Sequence, residues 1–298
     1  MSQDPILPAV QTLGERLYEH GYVADRGLTT AVHLALRLPR PLLLEGEAGV
    51  GKTEVGKVLA EILQTKLIRL QCYEGIDVSH ALYEWNYARQ MLHIRALETH
   101  SLADREKLRE IFSPEFLIRR PLLQAIDNDA PTPPVLLIDE IDRADEEFEA
   151  FLLELLSDYQ ITIPEIGTMR ATVAPVVVLT SNRTREIHDA LKRRCLYYWI
   201  PYPSLEKEME IVKRRLPEAP ALLVKHICST VQELRRMDMQ KSPGVAETLD
   251  WAAALMALGH SDLEIESARD TLCVISKVQE DTERIEREMP AILRRASA

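Results

Sequence analysis

Gly46-Glu47-Ala48-Gly49-Val50-Gly51-Lys52-Thr53 matches the pattern GxxxxGK[ST] at every fixed position. An apolar run, Leu42-Leu43-Leu44, precedes it, and a helical pattern from Thr53 to Leu63 follows. Strand, loop and helix in that order are the context in which such a loop binds phosphate. Glycines let backbone N–H groups curl around phosphate oxygens, and the helix N-terminus adds a positive dipole end. Lys52 is then expected to reach the β- and γ-phosphates, and Thr53 to hold Mg²⁺ through its hydroxyl. The plain alternative is a tight glycine turn, which gives no reason for the flanking strand and helix.

About ninety residues on, Val135-Leu136-Leu137-Ile138 is an apolar run ending in Asp139-Glu140. Open α/β sheets bind ligands at the carboxyl ends of their strands. Asp139 is expected to orient the Mg²⁺ shell, and Glu140 to position or deprotonate an attacking water. A solvated acidic loop is the competing reading, since Asp142, Asp145, Glu146 and Glu147 follow. The phosphate loop upstream decides against it, because the two motifs complete one site.

Further short apolar runs lie at Leu67–Leu70, Val176–Leu179 and Tyr197–Ile200, separated by helical patterns. Branched runs alternating with helices predict a buried, mostly parallel sheet. Residues 1–40 read as helical, as do Ser204–Arg215, Ala219–Met237, Val245–Leu258 and Asp262–Met289. The strand signal stops at Pro203, which predicts an α/β domain over 1–203 and an all-helical domain over 204–298. With 298 residues each has enough chain for a core. No apolar run approaches the roughly 20 residues of a membrane span, and Met1–Ile6 lacks the pattern of a signal peptide. Cys72, Cys195, Cys228 and Cys273 are widely spaced, which argues against a zinc site or disulfide framework and for the cytoplasm. The net charge of -11 disfavours nonspecific nucleic-acid binding.

LLLEGEAGVGKT, VLLIDEIDRADEEFEAFLLELLSD, VVVLTSN and DALKRRC occur in the order seen in AAA+ ATPases of the MoxR group, which the chain resembles over most of residues 20–260. LIRLQCYEGID, ALYEWNY and LLIDEIDRADEEFEAFLLELL are most similar to CoxD-type proteins, associated with maturation of molybdenum- and copper-containing carbon monoxide dehydrogenase. The resemblance implies a P-loop AAA+ domain with a five-stranded sheet and a helical lid, ATP and Mg²⁺ as cofactors, and a hexameric ring. It further implies Asn182 as sensor 1, facing the γ-phosphate and water, and Arg194 as an arginine finger entering a neighbour's site. A turn Asn closing a strand and a basic helix end complementing its dipole are the plain readings of these two. Arg193 competes with Arg194 for the finger.

One departure stands out. Where the family has Ser-Pro-Arg opening a lid helix, with the arginine as sensor 2, this chain has Lys241-Ser242-Pro243-Gly244. Either the lid then does not sense the nucleotide in this way, or Lys241 or another lid residue takes the role. Tyr22 and Val23 are candidates for adenine contacts. Residues 75–120 look like a family insertion, with Tyr83, Trp85 and Tyr87 either as client contacts or as core. Ile161–Arg170 reads as a β-hairpin.

Three functions compete. A remodelling ATPase acting on a protein client, such as a molybdenum hydroxylase with a von Willebrand factor A-type adaptor, fits the resemblance best. A nucleic-acid motor is disfavoured by a pI near 5.3. A nucleotide-gated scaffold is disfavoured by an intact Glu140 and Asn182.

Overall fold

The computed structural model describes residues 9–97, 110–128 and 130–296. Its central sheet has the order β2-β5-β8-β1-β9. The strands are β1 (Leu42–Gly46), β2 (Leu67–Gln71), β5 (Val135–Asp139), β8 (Val176–Ser181) and β9 (Leu196–Ile200). Each is one of the five apolar runs of the sequence. β2–β5, β5–β8 and β8–β1 pair in parallel, with Ile138 opposite Leu179 and Glu45 opposite Ser181. β1 and β5 are buried at every residue, as interior strands of a parallel sheet covered on both faces must be. β2 lies at the edge, and its pattern loosens to alternation, leaving Arg69 and Gln71 exposed.

α3 (Lys52–Ile62) leaves the phosphate loop. Gly56 on α3 lies so near the sheet that a Cβ would stand 3.2 Å from a Leu137 methyl. α7 (Glu146–Asp158) follows β5, its N-terminus capped by the Asp145 carboxylate accepting from the Phe148 N–H. The segment between β2 and β5 carries α4 (Val78–Ala81), β3 (Tyr83–Trp85), α5 (Tyr87–Leu97), β4 (Leu117–Arg119) and α6 (Pro121–Ile126). Part of the 75–120 insertion, residues 98–109, lies outside the described residues. β6 (Gln160–Ile163) and β7 (Gly167–Arg170) form the expected hairpin, turning at Gly167 with φ +106.

α1 (Val10–Glu19) and α2 (Arg26–Arg37) replace the continuous helical reading of the N-terminal stretch, and Met1–Pro8 lies outside the described residues. Gly21, at φ +80, ends the first helix. Beyond β9 only helices occur among the described residues: α9 (Leu205–Arg215), α10 (Ala221–Arg235), α11 (Val245–Ala257), α12 (Ile265–Asp270), α13 (Leu272–Ile275) and α14 (Gln279–Ala296). Their shared core includes Ile227, Val231, Trp251, Leu255, Ile285 and Met289. The single helix expected over Asp262–Met289 is in fact three. The Thr271 hydroxyl accepts from the buried Trp251 indole and donates to the Ser267 carbonyl, fixing a break that helical periodicity does not reveal.

The chain divides into two compact units. One holds the described residues up to Leu13 with Gly27–Glu45 and Gly56–Tyr198; the other holds Gly14–Arg26, Gly46–Val55 and Trp199–Ala298. No helix of the described residues is long and apolar enough to cross a membrane.

Candidate nucleotide site

The phosphate loop belongs to the second unit. Gly49 and Gly51 take φ values of +74 and +91, which a side chain would strain. A Cβ on Gly46 would collide with the Ile200 carbonyl oxygen. These three positions therefore require glycine for the loop to curl. Lys52 opens α3 and is 6% exposed. Its ammonium donates to the carbonyls of Gly46 at 2.7 Å and Glu47 at 2.6 Å, so the cation is held inside the curl of its own loop. Glu54, one turn into the helix, pairs with Arg215 of α9. The Tyr22 ring lies 3.6 Å from where a Cβ on Gly51 would stand. This places Tyr22, one of the two adenine candidates, beside the loop.

The acidic strand end belongs to the first unit. Asp139 is 2% exposed. One of its oxygens accepts from the Thr180 hydroxyl at 2.5 Å, and the other from Arg69 Nη2 at 2.5 Å and Nε at 3.1 Å. Thr180 also accepts the Glu140 N–H at 2.9 Å, so one hydroxyl ties both acidic residues to β8. Glu140 has φ 55 and ψ 51, a left-handed backbone that is uncommon outside glycine and that clusters at functional sites. Its carboxylate accepts from Gln71 at 3.0 Å and Arg143 at 3.3 Å. Cys72, buried beside this group, has its thiol pushed up to about 12 by burial, then by Asp139, Asp142, Glu140 and Glu149.

Asn182 directly follows β8 and is half-buried. The next residue, Arg183, is left-handed at φ 57. Glu45, at the end of β1, is 4% exposed and accepts from the Ser181 hydroxyl at 3.3 Å and the Tyr197 hydroxyl at 3.0 Å.

α8 (Asp189–Arg194) carries both candidate fingers, and both are exposed. Its position depends on Glu149 of α7, which is fully buried. Glu149 pairs with Arg185 and accepts the His188 N–H at 2.7 Å, and His188 caps α8. Arg194 Nη1 donates to the Leu153 carbonyl at 3.2 Å.

Lys241 is exposed, and its N–H donates to the Asp281 carboxylate. Sequence reasoning passed over Arg69, Thr180, Glu45 and Glu149. Only Arg69 left a trace, as the one charged residue inside the apolar run Leu67–Leu70.

Parallel strands with a phosphate loop after one and paired carboxylates after another define a P-loop nucleoside triphosphate-binding protein. The chain belongs to the AAA domain (dynein-related subfamily) family, which it matches over residues 41–195. That membership carries nucleotide-driven hydrolase activity in general, with ATP and typically Mg²⁺. The fold is similar to the Thermotoga maritima RuvB Holliday junction branch migration motor, at 16% identity and a TM-score of 0.48, covering 97% of this chain and 80% of that one. A mutant form of the same motor is similar at 16% identity and a TM-score of 0.49, covering 96% and 78%. No curated protein sequence matches the chain significantly.

Proposed function

We propose that the chain is a Mg²⁺-dependent ATP phosphohydrolase that assembles into a homo-oligomeric ring, six-membered by its resemblance to the MoxR group. In this reading it remodels a protein client in the cytoplasm. Residues 1–203 act as the nucleotide-binding domain and 204–298 as its lid. The phosphate loop carries the reading: two left-handed glycines and a buried ammonium fixed on the loop's own carbonyls.

The loop N–H groups from Gly46 to Thr53 and the Lys52 ammonium take the phosphates of ATP. The Thr53 hydroxyl and the Asp139 carboxylate are hard oxygen donors of the kind that suits Mg²⁺. Once bound, the ion neutralises charge on the phosphate oxygens. Glu140 orients the attacking water and draws its proton toward its carboxylate. Asn182 donates to the γ-phosphate, and Arg194 of a neighbouring subunit offsets charge as the phosphoryl group leaves ADP. The CoxD-like segments support a client of the molybdenum hydroxylase kind, with a von Willebrand factor A-type adaptor.

Phosphate release by purified protein tests the core of this. Lys52→Ala is expected to lose nucleotide binding, and Glu140→Gln to keep binding while turnover falls by about 10² or more. Turnover at the wild-type rate in Glu140→Gln would falsify the assignment. A nucleic-acid motor would instead show salt-dependent DNA binding.

A further inference from the structure

One face of the phosphate loop is met by backbone, with the Glu247 carboxylate beside it, 3.0 Å from where a Cβ on Gly49 would stand. The Val245 and Ala246 N–H groups, the first two of α11, donate to the Gly49 carbonyl at 3.0 and 3.3 Å. The preceding residue, Gly244, lies against the same peptide. A Cβ on Gly244 would stand 2.6 Å from the Ala48 carbonyl oxygen and 2.8 Å from Gly49 Cα. A Cβ on Gly49 would in turn stand 3.2 Å from Gly244 Cα. Two glycines thus face each other where neither tolerates a side chain.

The docking segment is anchored from within the helical bundle. Arg235 Nε donates to the Pro243 carbonyl at 2.8 Å, while Nη1 and Nη2 pair with the Glu208 carboxylate at 2.7 Å each. Arg235 is 6% exposed and Glu208 is fully buried. The Thr248 hydroxyl spans Glu208 and the Gly244 carbonyl at 2.7 and 3.0 Å, and the Gly244 N–H donates to Glu247 at 3.0 Å. On the other side, Asp281 accepts the Gln240 and Lys241 N–H groups, at 3.0 Å each. This is more hardware than a helix N-cap needs.

The consequence follows from peptide geometry. In a trans peptide the C=O and N–H point in opposite directions. Holding the Gly49 carbonyl on α11 therefore aims the Val50 N–H away from α11. We propose that Gly244 is a positioning residue for nucleotide binding: it lets α11 dock backbone to backbone on Gly49, so the helical region shapes the phosphate loop by contact instead of sending a side chain to the nucleotide. The proposal rests on the nucleotide-site reading above.

Two substitutions probe the contact from opposite sides. Gly244→Ala introduces the colliding Cβ. Val245→Pro removes the shorter hydrogen bond at a first-turn position where proline suits a helix, and the extended Gly244 backbone accepts a following proline. Binding of ATP and of ADP, each with Mg²⁺, would be measured by calorimetry well below the melting temperature, with Lys52→Ala as the control. Each variant is expected to bind both nucleotides about tenfold more weakly, the equivalent of about one net hydrogen bond. Hydrogen exchange of the Ala48–Lys52 peptide, measured in the folded protein without nucleotide, is expected to speed up while exchange in α14 stays unchanged, a pattern that general destabilisation does not give. Should Gly244→Ala fail to fold, Val245→Pro carries the test. Wild-type affinity in the folded variants, with Lys52→Ala impaired, overturns the positioning role alone. Wild-type affinity in Lys52→Ala overturns the nucleotide-site reading beneath it.

Discussion

Arg69 on the edge strand β2 and Asp139 at the end of the neighbouring β5 form an ion pair in which two guanidinium nitrogens share a single carboxylate oxygen. Thr180 takes the other oxygen. A metal ion at Asp139 must therefore share that carboxylate with Arg69 or displace it. Arg69→Met should leave a buried charge partly unpaired and cost about 1–3 kcal/mol, reduced from the fully buried case because Arg69 is half-exposed. The loss is expected in Mg²⁺-free buffer and should be largely recovered with Mg²⁺ and ADP, because binding to the native state adds stability. Melting temperatures under the two conditions decide it. An equal loss in both would mean that Arg69 is structural and does not compete at the carboxylate.

The sheet was legible because parallel interior strands are uniformly apolar, and all five appear as short runs in the sequence. The glycine loop was legible because its backbone demands a fixed residue type. The partners of Asp139 were not: Thr180 is 41 residues away and Arg69 is 70, and only the strand order β2-β5-β8 brings them together. Gly244 was visible as a missing arginine. Its close approach to Gly49 depends on packing that periodicity does not encode.

Glu149 and Arg185 supply a second prediction, about the helix that carries the two candidate fingers. Glu149→Ala removes the acceptor for both Arg185 and the His188 N–H. Breaking a buried pair costs about 3–5 kcal/mol, and the lower end applies because Arg185 is about a third exposed. The variant should still bind ATP, while turnover falls by more than binding does. Comparing its dissociation constant with kcat checks this.

The fingers themselves separate in mixed assemblies. Both are exposed, and Arg194 also donates to the Leu153 carbonyl, which pre-orients it. Subunits with Lys52→Ala and subunits with Arg194→Ala should each be inactive alone and regain activity when mixed, since some junctions unite an intact loop with an intact finger. Arg193→Ala should retain most activity by itself. The opposite pattern would transfer the role to Arg193.

The buried thiols give the alkaline limit. Cys72, Cys195 and Cys228 are each pushed from the ordinary 9.0 up to about 12, chiefly by burial. Above pH 9 the unfolded chain sheds these protons while the folded chain keeps them, so the unfolded state gains. Stability is fully present below about pH 9 and falls as pH rises toward 12, by up to about 1.4 kcal/mol per pH unit for each thiol. Denaturant titrations across that range measure the slope. At neutral pH a disulfide reagent should modify only the exposed Cys273 in the native protein, and all four thiols once it is unfolded.

Tyr83, Trp85 and Tyr87 divide by burial, and that division fixes how client gripping can be tested. Trp85 is 7% exposed and packs edge-on against Phe112 at 5.2 Å and Tyr83 at 6.2 Å. It is core, and Trp85→Ala is expected to cost about 3–5 kcal/mol, whatever the client. Any loss of client maturation in that variant would only report damage to the fold. Tyr87, at the start of α5, is 64% exposed, and Met91 one turn on is 56% exposed. Tyr87→Ala should therefore change stability by less than about 0.5 kcal/mol and leave basal ATP turnover intact. If this face grips the client, a molybdenum hydroxylase co-expressed with Tyr87→Ala should accumulate folded but short of its complete metal cluster, as it should with Glu140→Gln. Full metal content with Tyr87→Ala but not with Glu140→Gln would keep the maturation role and move the grip elsewhere. Full metal content with both would remove the role while leaving the ATPase untouched.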